Sequence, residues 1–197
     1  MTVESHPLEP FLPQDAGILF LGSFPPPHAR WSMEFFYPNF NNDFWRIMGL
    51  VHFDDASHFV DPAGRRFNYH AVVGFCRQAG LAFFDTASKV RRLKDNASDA
   101  FLEILEPTDV GALLARLPRC RTIVTTGGKA SEQLAAILQS ASPASIPSPG
   151  GYLDVTAFGR ELRWWRMPST SRAYPLSLAA KAAAYARLWP EKDPSTI

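Results

Sequence analysis

Cysteine is scarce in this chain, and that narrows its chemistry at once. Cys76 and Cys120 are its only two. They cannot build a disulfide framework and sit in no C-x-x-C pair, and they fall short of the four thiolates that hold an iron–sulfur cluster. Charge of one sign is also lacking. Twenty Lys and Arg stand against 19 Asp and Glu, for a net charge of +1, so a polyanionic partner has to be held by a local patch. No apolar run approaches the ~18–20 residues that span a bilayer. The opening MTVESHPLEPFLP lacks a signal-peptide core, and a soluble, cytoplasmic protein is expected.

Several motifs are missing as well. The five histidines (His6, His28, His52, His58, His70) show no metal-ligand spacing such as H-x-x-x-H, and His58 and His70 read as surface or helix-packing residues. Neither G-x-x-x-x-G-K-[ST] nor G-x-G-x-x-G is present, nor is the G-x-S-x-G of a serine hydrolase. TTGGK (Thr125–Lys129) has glycines opening a helix. These either present amides to one phosphate or merely form a tight turn, and the sequence leaves both open.

What is present is a core. Of the 197 residues 46% are hydrophobic and 13% aromatic, which excludes a disordered tail and suits one domain over 1–197. Residues 1–16 form an extended lead-in and 190–197 a tail. Seventeen prolines cluster at Pro25–Pro27, Pro143–Pro149 and Pro168–Pro175. Proline fixes φ and removes a donor, so these mark shaped loops. The continuous apolar runs Ile18–Gly22, Leu81–Asp85 and Arg121–Thr126 predict buried strands, with Gly159–Met167 as a fourth. Helical spacing predicts helices from Asn41 or Asn42 through Val51, over Arg65–Gly80, in DVGALLARLP, in KASEQLAAILQSA and over Ser177–Trp189. In the first of these Asn serves as N-cap, Asp43 lies in the first turn, and Phe44, Ile47 and Met48 face inward. The stretches His52–Gly64 and Asp85–Asp99 read as loops. Alternation of strand and helix predicts an α/β fold: a three-layer α/β/α sandwich around a short, mainly parallel four-stranded sheet.

In such sheets, sites form beyond the carboxyl ends of the strands. That rule selects GSFPPP, the loop after Asp85, TTGGK and MPSTSRAYP (Met167–Pro175). Together LGSFPPP, FFYPNFNNDFWRIM, GLAFFDTASK, TTGGKASEQL and MPSTSRAYPLSLAAKAAAY resemble, in order and spacing, the uracil-DNA glycosylase superfamily from Ile18 to Leu188. The hypoxanthine-DNA glycosylase branch is the most similar, then the mismatch-specific uracil/thymine-DNA glycosylases.

The resemblance implies a monofunctional enzyme that hydrolyses the N-glycosidic bond of a flipped, deaminated base (hypoxanthine, uracil or both) and leaves an abasic site. It implies no cofactor and no metal. The partner is double- or single-stranded DNA carrying a damaged base, with no membrane, and the chain is expected to act as a monomer. The base pocket falls to Gly22, Ser23, Phe24, Pro25, Asn39 and Tyr37, the last as the aromatic that stacks on the base. Two positions depart from most branches. Phe24 stands where a water-activating Asp or Asn is usual, and Met167 where the uracil branch has a donating histidine. The hypoxanthine-type branch shares the first departure and implicates an asparagine before the F-W pair, which is Asn42 here. An ordinary helix cap is the other reading of Asn42. Asp43 and Asp85 are rival catalytic groups, and capping a turn is the alternative for Asp85.

DNA contacts are expected from Met167, Pro168, Ser169, Thr170, Ser171, Arg172 and Tyr174. Lys129 and the basic run Lys89, Arg91, Arg92 and Lys94 would join them, with Arg163 and Arg166 nearby. Solvated surface is the competing fate of that run. The two departures also motivate a second reading, a catalytically silent relative that binds DNA or a nucleobase without cleaving it.

Overall fold

The computed structural model describes residues 2–93, 102–138 and 145–189. In chain order its elements are β1 (Thr2–Ser5), β2 (Ile18–Gly22), α1 (Phe44–Phe53), α2 (Tyr69–Gln78), β3 (Leu81–Asp85), β4 (Ala87–Arg92), β5 (Leu102–Pro107), α3 (Val110–Ala115), β6 (Thr122–Thr126), α4 (Gly128–Leu138), β7 (Gly151–Ala157), β8 (Arg160–Met167) and α5 (Leu178–Ala186). The fold is mixed α/β. Lys94 and the tail 190–197 lie outside the described residues.

The four strands expected from apolar runs do form one sheet, parallel throughout in the order β3-β2-β6-β8. It has five strands, however, not four. The fifth, β7, pairs antiparallel with β8 on the edge. An edge strand buries little, and GYLDVTA alternates exposed and half-buried positions, so no continuous apolar run announced it.

A second correction concerns the loop expected after Asp85. It begins with β4, which is the middle strand of a small antiparallel sheet, β1-β4-β5. The lead-in thus contributes a strand of its own. Register shifts around Lys89 in the β4–β5 pairing interrupt the two-residue alternation that would have betrayed β4.

Phe20 of β2 stacks on Phe83 of β3 at 5.3 Å between centroids. Both rings meet Phe44 of α1, so α1 lies on that face of the sheet. The Trp45 indole N–H donates to Phe36 O at 3.0 Å. Trp164 is fully buried and donates to Thr125 Oγ1 at 2.9 Å. Asn68, Asp109 and Ser177 cap α2, α3 and α5 through their side chains. The Asn68 cap starts α2 at Tyr69, four residues later than the apolar spacing suggested. Among the described residues no helix is long and apolar enough to cross a membrane.

Three titratable side chains, Cys76, Cys120 and His52, lie away from the sheet's carboxyl edge. Burial pushes the thiols of Cys76 and Cys120 up from their ordinary range, which makes them poor nucleophiles. The His52 ring lies against Phe75 and Trp189, and its Nε2 has no partner among the described residues. Burial lowers its pKa from 6.5. The unfolded chain therefore takes up the proton first as pH falls, so the stability His52 contributes is complete above about pH 6.5 and lost below it. Thermal melts of the wild type and His52→Phe between pH 5 and 8 should show a shallower acid slope in the variant. Parallel curves would exclude His52 as a source of acid sensitivity.

Candidate functional site

A cavity of about 650 Å³ opens where β2, β3, β6 and β8 end. Five chain-distant segments line it: the turn after β2, the loop entering α1, the end of β3, Thr126 at the end of β6 and the loop after β8.

The first segment holds Gly22, Ser23, Phe24 and Pro25 at the wall. Gly22 is required by its neighbour, because a Cβ there would collide with Asp85 Oδ1. The loop's carbonyls are tied down from outside. Arg92 donates to Pro25 O at 3.2 Å and Trp31 to Pro26 O at 2.8 Å. Phe24 lines the cavity, and its ring also packs edge-on against His6.

The second segment brings Tyr37, Asn39 and Asn42 to the same cavity. Tyr37 adopts φ 52, a left-handed backbone that is costly for a residue with a bulky side chain. Its hydroxyl shares a hydrogen bond with Thr126 Oγ1 at 2.8 Å. Phe44 stacks on its ring at 3.9 Å and so covers one ring face. Arg46 braces the turn, donating to Phe40 O at 2.7 Å and Asn42 O at 3.2 Å.

Asn42 lines the cavity, and its side chain also bonds to the backbone at the start of α1. Its Oδ1 accepts from Phe44 N at 2.9 Å. A backbone N–H only donates, so that atom is the oxygen. Among the described residues the Asn42 Nδ2 hydrogens and second Oδ1 lone pair have no partner. Asp43, expected in the first turn of α1, instead occupies the N-cap position without a side-chain cap bond.

Asp43 is the residue that the cavity does not receive. Its carboxylate is 9% exposed and accepts from Lys181 Nζ at 3.0 Å and Arg172 Nε at 3.1 Å. A carboxylate committed to two cations is a poor candidate for attacking chemistry. It anchors instead. Asp43 N donates to Thr170 O at 2.9 Å, Lys181 Nζ to Ser171 O at 2.8 Å and Tyr185 Oη to Pro168 O at 2.9 Å. Three carbonyls of the loop after β8 are thereby fixed to α1 and α5. Ser169, Thr170, Ser171, Arg172 and Tyr174 line the cavity mouth as a result. Pro168 is buried behind them, and Met167 is fully buried, so the Met167 side chain is not available to a ligand.

Asp85 ends β3 with its side chain 11% exposed, at the cavity wall. His6, from the lead-in, meets it: Nε2 lies 2.9 Å from Asp85 Oδ2.

The basic run does not form an open track. Lys89 pairs with Glu106 and Arg91 with Glu103 across the β4–β5 ladder. Arg92 is buried and forked onto Glu4 at 2.9 and 3.0 Å. Arg163 pairs with Asp154 and sits in register with Thr122, at the far end of the sheet from the cavity. Lys129 is in the first turn of α4 and outside the cavity lining. In TTGGK, Gly127, at φ 91, donates to Met167 O at 3.0 Å, so its amide is committed to the chain itself.

Arg30, His6, Lys181 and Tyr185 were not expected at the site from the sequence. Arg30 lines the cavity, and His6, Lys181 and Tyr185 stand behind it. Lys181 left a legible trace, a lone cation on the stripe Leu178, Lys181, Tyr185 at helical spacing. His6 left none, since 79 residues separate it from Asp85.

No protein-family model and no curated protein matches the chain. Among solved structures, it is similar to the solution NMR structure of a putative uracil DNA glycosylase from Methanosarcina acetivorans. The TM-score is 0.61 at 19% sequence identity, covering 95% of this chain and 99% of the other. At that identity the likeness is one of fold.

Proposed function

We propose that the chain is a monofunctional DNA glycosylase of the uracil-DNA glycosylase superfamily, acting on flipped deaminated bases. The observation that carries this reading is the meeting of Gly22–Pro25, Tyr37–Asn42, Asp85 and Ser169–Tyr174 around one cavity. Its volume falls in the ~300–1,000 Å³ range of ligand sites. The likeness of fold to a putative uracil DNA glycosylase supports the same reading.

A base inside a duplex cannot be reached, so it is flipped out at a cost of a few kcal/mol. The base leads into the cavity beside Asp85 and Tyr37. The sugar stays at the mouth, near Asn42 and Arg172. As the C1′–N bond breaks, its electron pair leaves with the base and positive charge develops on the sugar. Water attacks C1′, loses one proton to solvent and becomes its hydroxyl, while the base gains a proton. The nucleophile meets an already electron-poor carbon, so orientation by the neutral Asn42 amide suffices. The phosphates stabilise the sugar cation electrostatically. Arg172 and the hydroxyls of Ser169 and Ser171 hold the strand.

Two features favour the hypoxanthine-type chemistry. The uracil route's acidic residue is replaced by Phe24, and its donating histidine by the buried Met167. A lyase step needs an amine nucleophile, and among the described residues no lysine lines the cavity. Duplexes carrying uracil, hypoxanthine, xanthine or a thymine mismatch, incubated with the protein and then with hot alkali, test the reading. Strand scission at the lesion is expected, absent from undamaged DNA. Tight lesion binding without scission would replace the enzyme by a silent binder.

A further inference from the structure

Resting on the glycosylase reading above, we infer that His6 is a positioning residue that fixes Asp85 as the hydrogen-bond acceptor for the ring N–H of a deaminated base. The His6 ring is 4% exposed and lies 4.3 Å from Phe84 and 5.3 Å from Phe24. Its Nδ1 lies 2.9 Å from Leu8 O and 3.2 Å from Leu8 N. The ring is therefore held from both sides and both ends. With Asp85 ionised, Nε2 must carry a proton, because a bare ring nitrogen would face the carboxylate as a second acceptor.

The consequence falls on the carboxylate. His6 takes Oδ2, which leaves Oδ1 against the Cα of Gly22; Gly22, Tyr37 and Asp85 all line the cavity. A carboxylate oxygen only accepts. Hypoxanthine presents N1–H and uracil N3–H at the edge where adenine and cytosine present a bare, accepting nitrogen. Against those undamaged bases Asp85 sets acceptor to acceptor, and the pairing fails. An asparagine could turn its amide to suit either edge, whereas an ionised aspartate cannot. Sites built around a hydrogen bond discriminate far more sharply than apolar pockets do. The His6 N–H also draws charge from the carboxylate, easing its proximity to a base that gains negative charge on leaving.

The test compares His6→Phe, which keeps an aromatic ring in the cage, with His6→Gln, which restores a donor. Excision of hypoxanthine is measured at saturating and subsaturating DNA, beside adenine controls and thermal melts. We expect His6→Phe to lose roughly 10–100-fold in kcat/KM, with a lower hypoxanthine-to-adenine ratio, and His6→Gln to recover most of both. Wild-type excision and discrimination in His6→Phe would overturn the inference. So would equal activity in the two variants at equal melting temperature. Should both variants unfold, the wild type decides: it should excise hypoxanthine and reject 1-methylhypoxanthine, which lacks the N–H, and equal excision of the two overturns the inference. A wild type inert on every lesion defeats the glycosylase reading, and this inference with it.

Discussion

Asn42→Ala should lower excision by about 10²–10⁴-fold, the contribution typical of a group that handles the reacting water or proton, while lesion-DNA binding stays within a few-fold of wild type. The separation follows from geometry. Asn42 is one of several residues on the cavity wall, and Tyr37, Arg172 and the serines of the 169–171 loop remain in place to hold the nucleotide. The variant also loses the bond from Phe44 N to Oδ1, which costs about 1 kcal/mol of stability. That is small against the ~5–15 kcal/mol typical of a domain, so a folded protein is expected and circular dichroism checks it. Single-turnover kinetics with excess enzyme isolates the chemical step. Full activity in Asn42→Ala would transfer the water to Asp85, the remaining carboxylate on the cavity wall.

Asp43→Ala should be the most destabilising single change near the site. Lys181 is 1% exposed in its side chain, and removing Asp43 leaves its ammonium with Ser171 O and no counter-charge. Breaking a buried pair from one side costs about 3–5 kcal/mol. For a chain of this size that corresponds to a fall in Tm of roughly 6–20 °C. Lys181→Met should cost less, since methionine refills the volume and Asp43 retains Arg172. In the double variant the two losses should not add, because the orphaned ammonium is gone. Urea denaturation of the four proteins measures the coupling. A loss under about 1 kcal/mol in Asp43→Ala would show that water reaches Lys181 and that the network bears little load. Asp43→Ala should weaken DNA binding as well, although Asp43 does not line the cavity, because Arg172 and Lys181, which holds the Ser171 carbonyl, both lean on its carboxylate.

Asp43 also shows why neighbouring positions could not be ranked from sequence. Asn42 and Asp43 both precede an apolar helix, and both residue types suit a cap and water chemistry alike. Their fates diverged through partners more than 120 residues away, Arg172 and Lys181. The basic run is a similar case. Lys89 and Arg91 look like a phosphate track until β5 lays Glu106 and Glu103 beside them.

The parallel sheet and the loops at its carboxyl edge were legible in the residues alone. Continuous apolar runs, caps and proline clusters are local signals, and burial on both faces demands them within each strand. Legible too was which segments meet, since topology sends the loops after β2, β3 and β8 to one side. Which side chains face the cavity and which brace it emerged from long-range packing. The small sheet, the withdrawal of Asp43 into an ion network and the pairing of His6 with Asp85 all depend on contacts between distant residues. Such pairings have no period and no fixed spacing, because the energy that selects them arises only when the folded chain removes both partners from water.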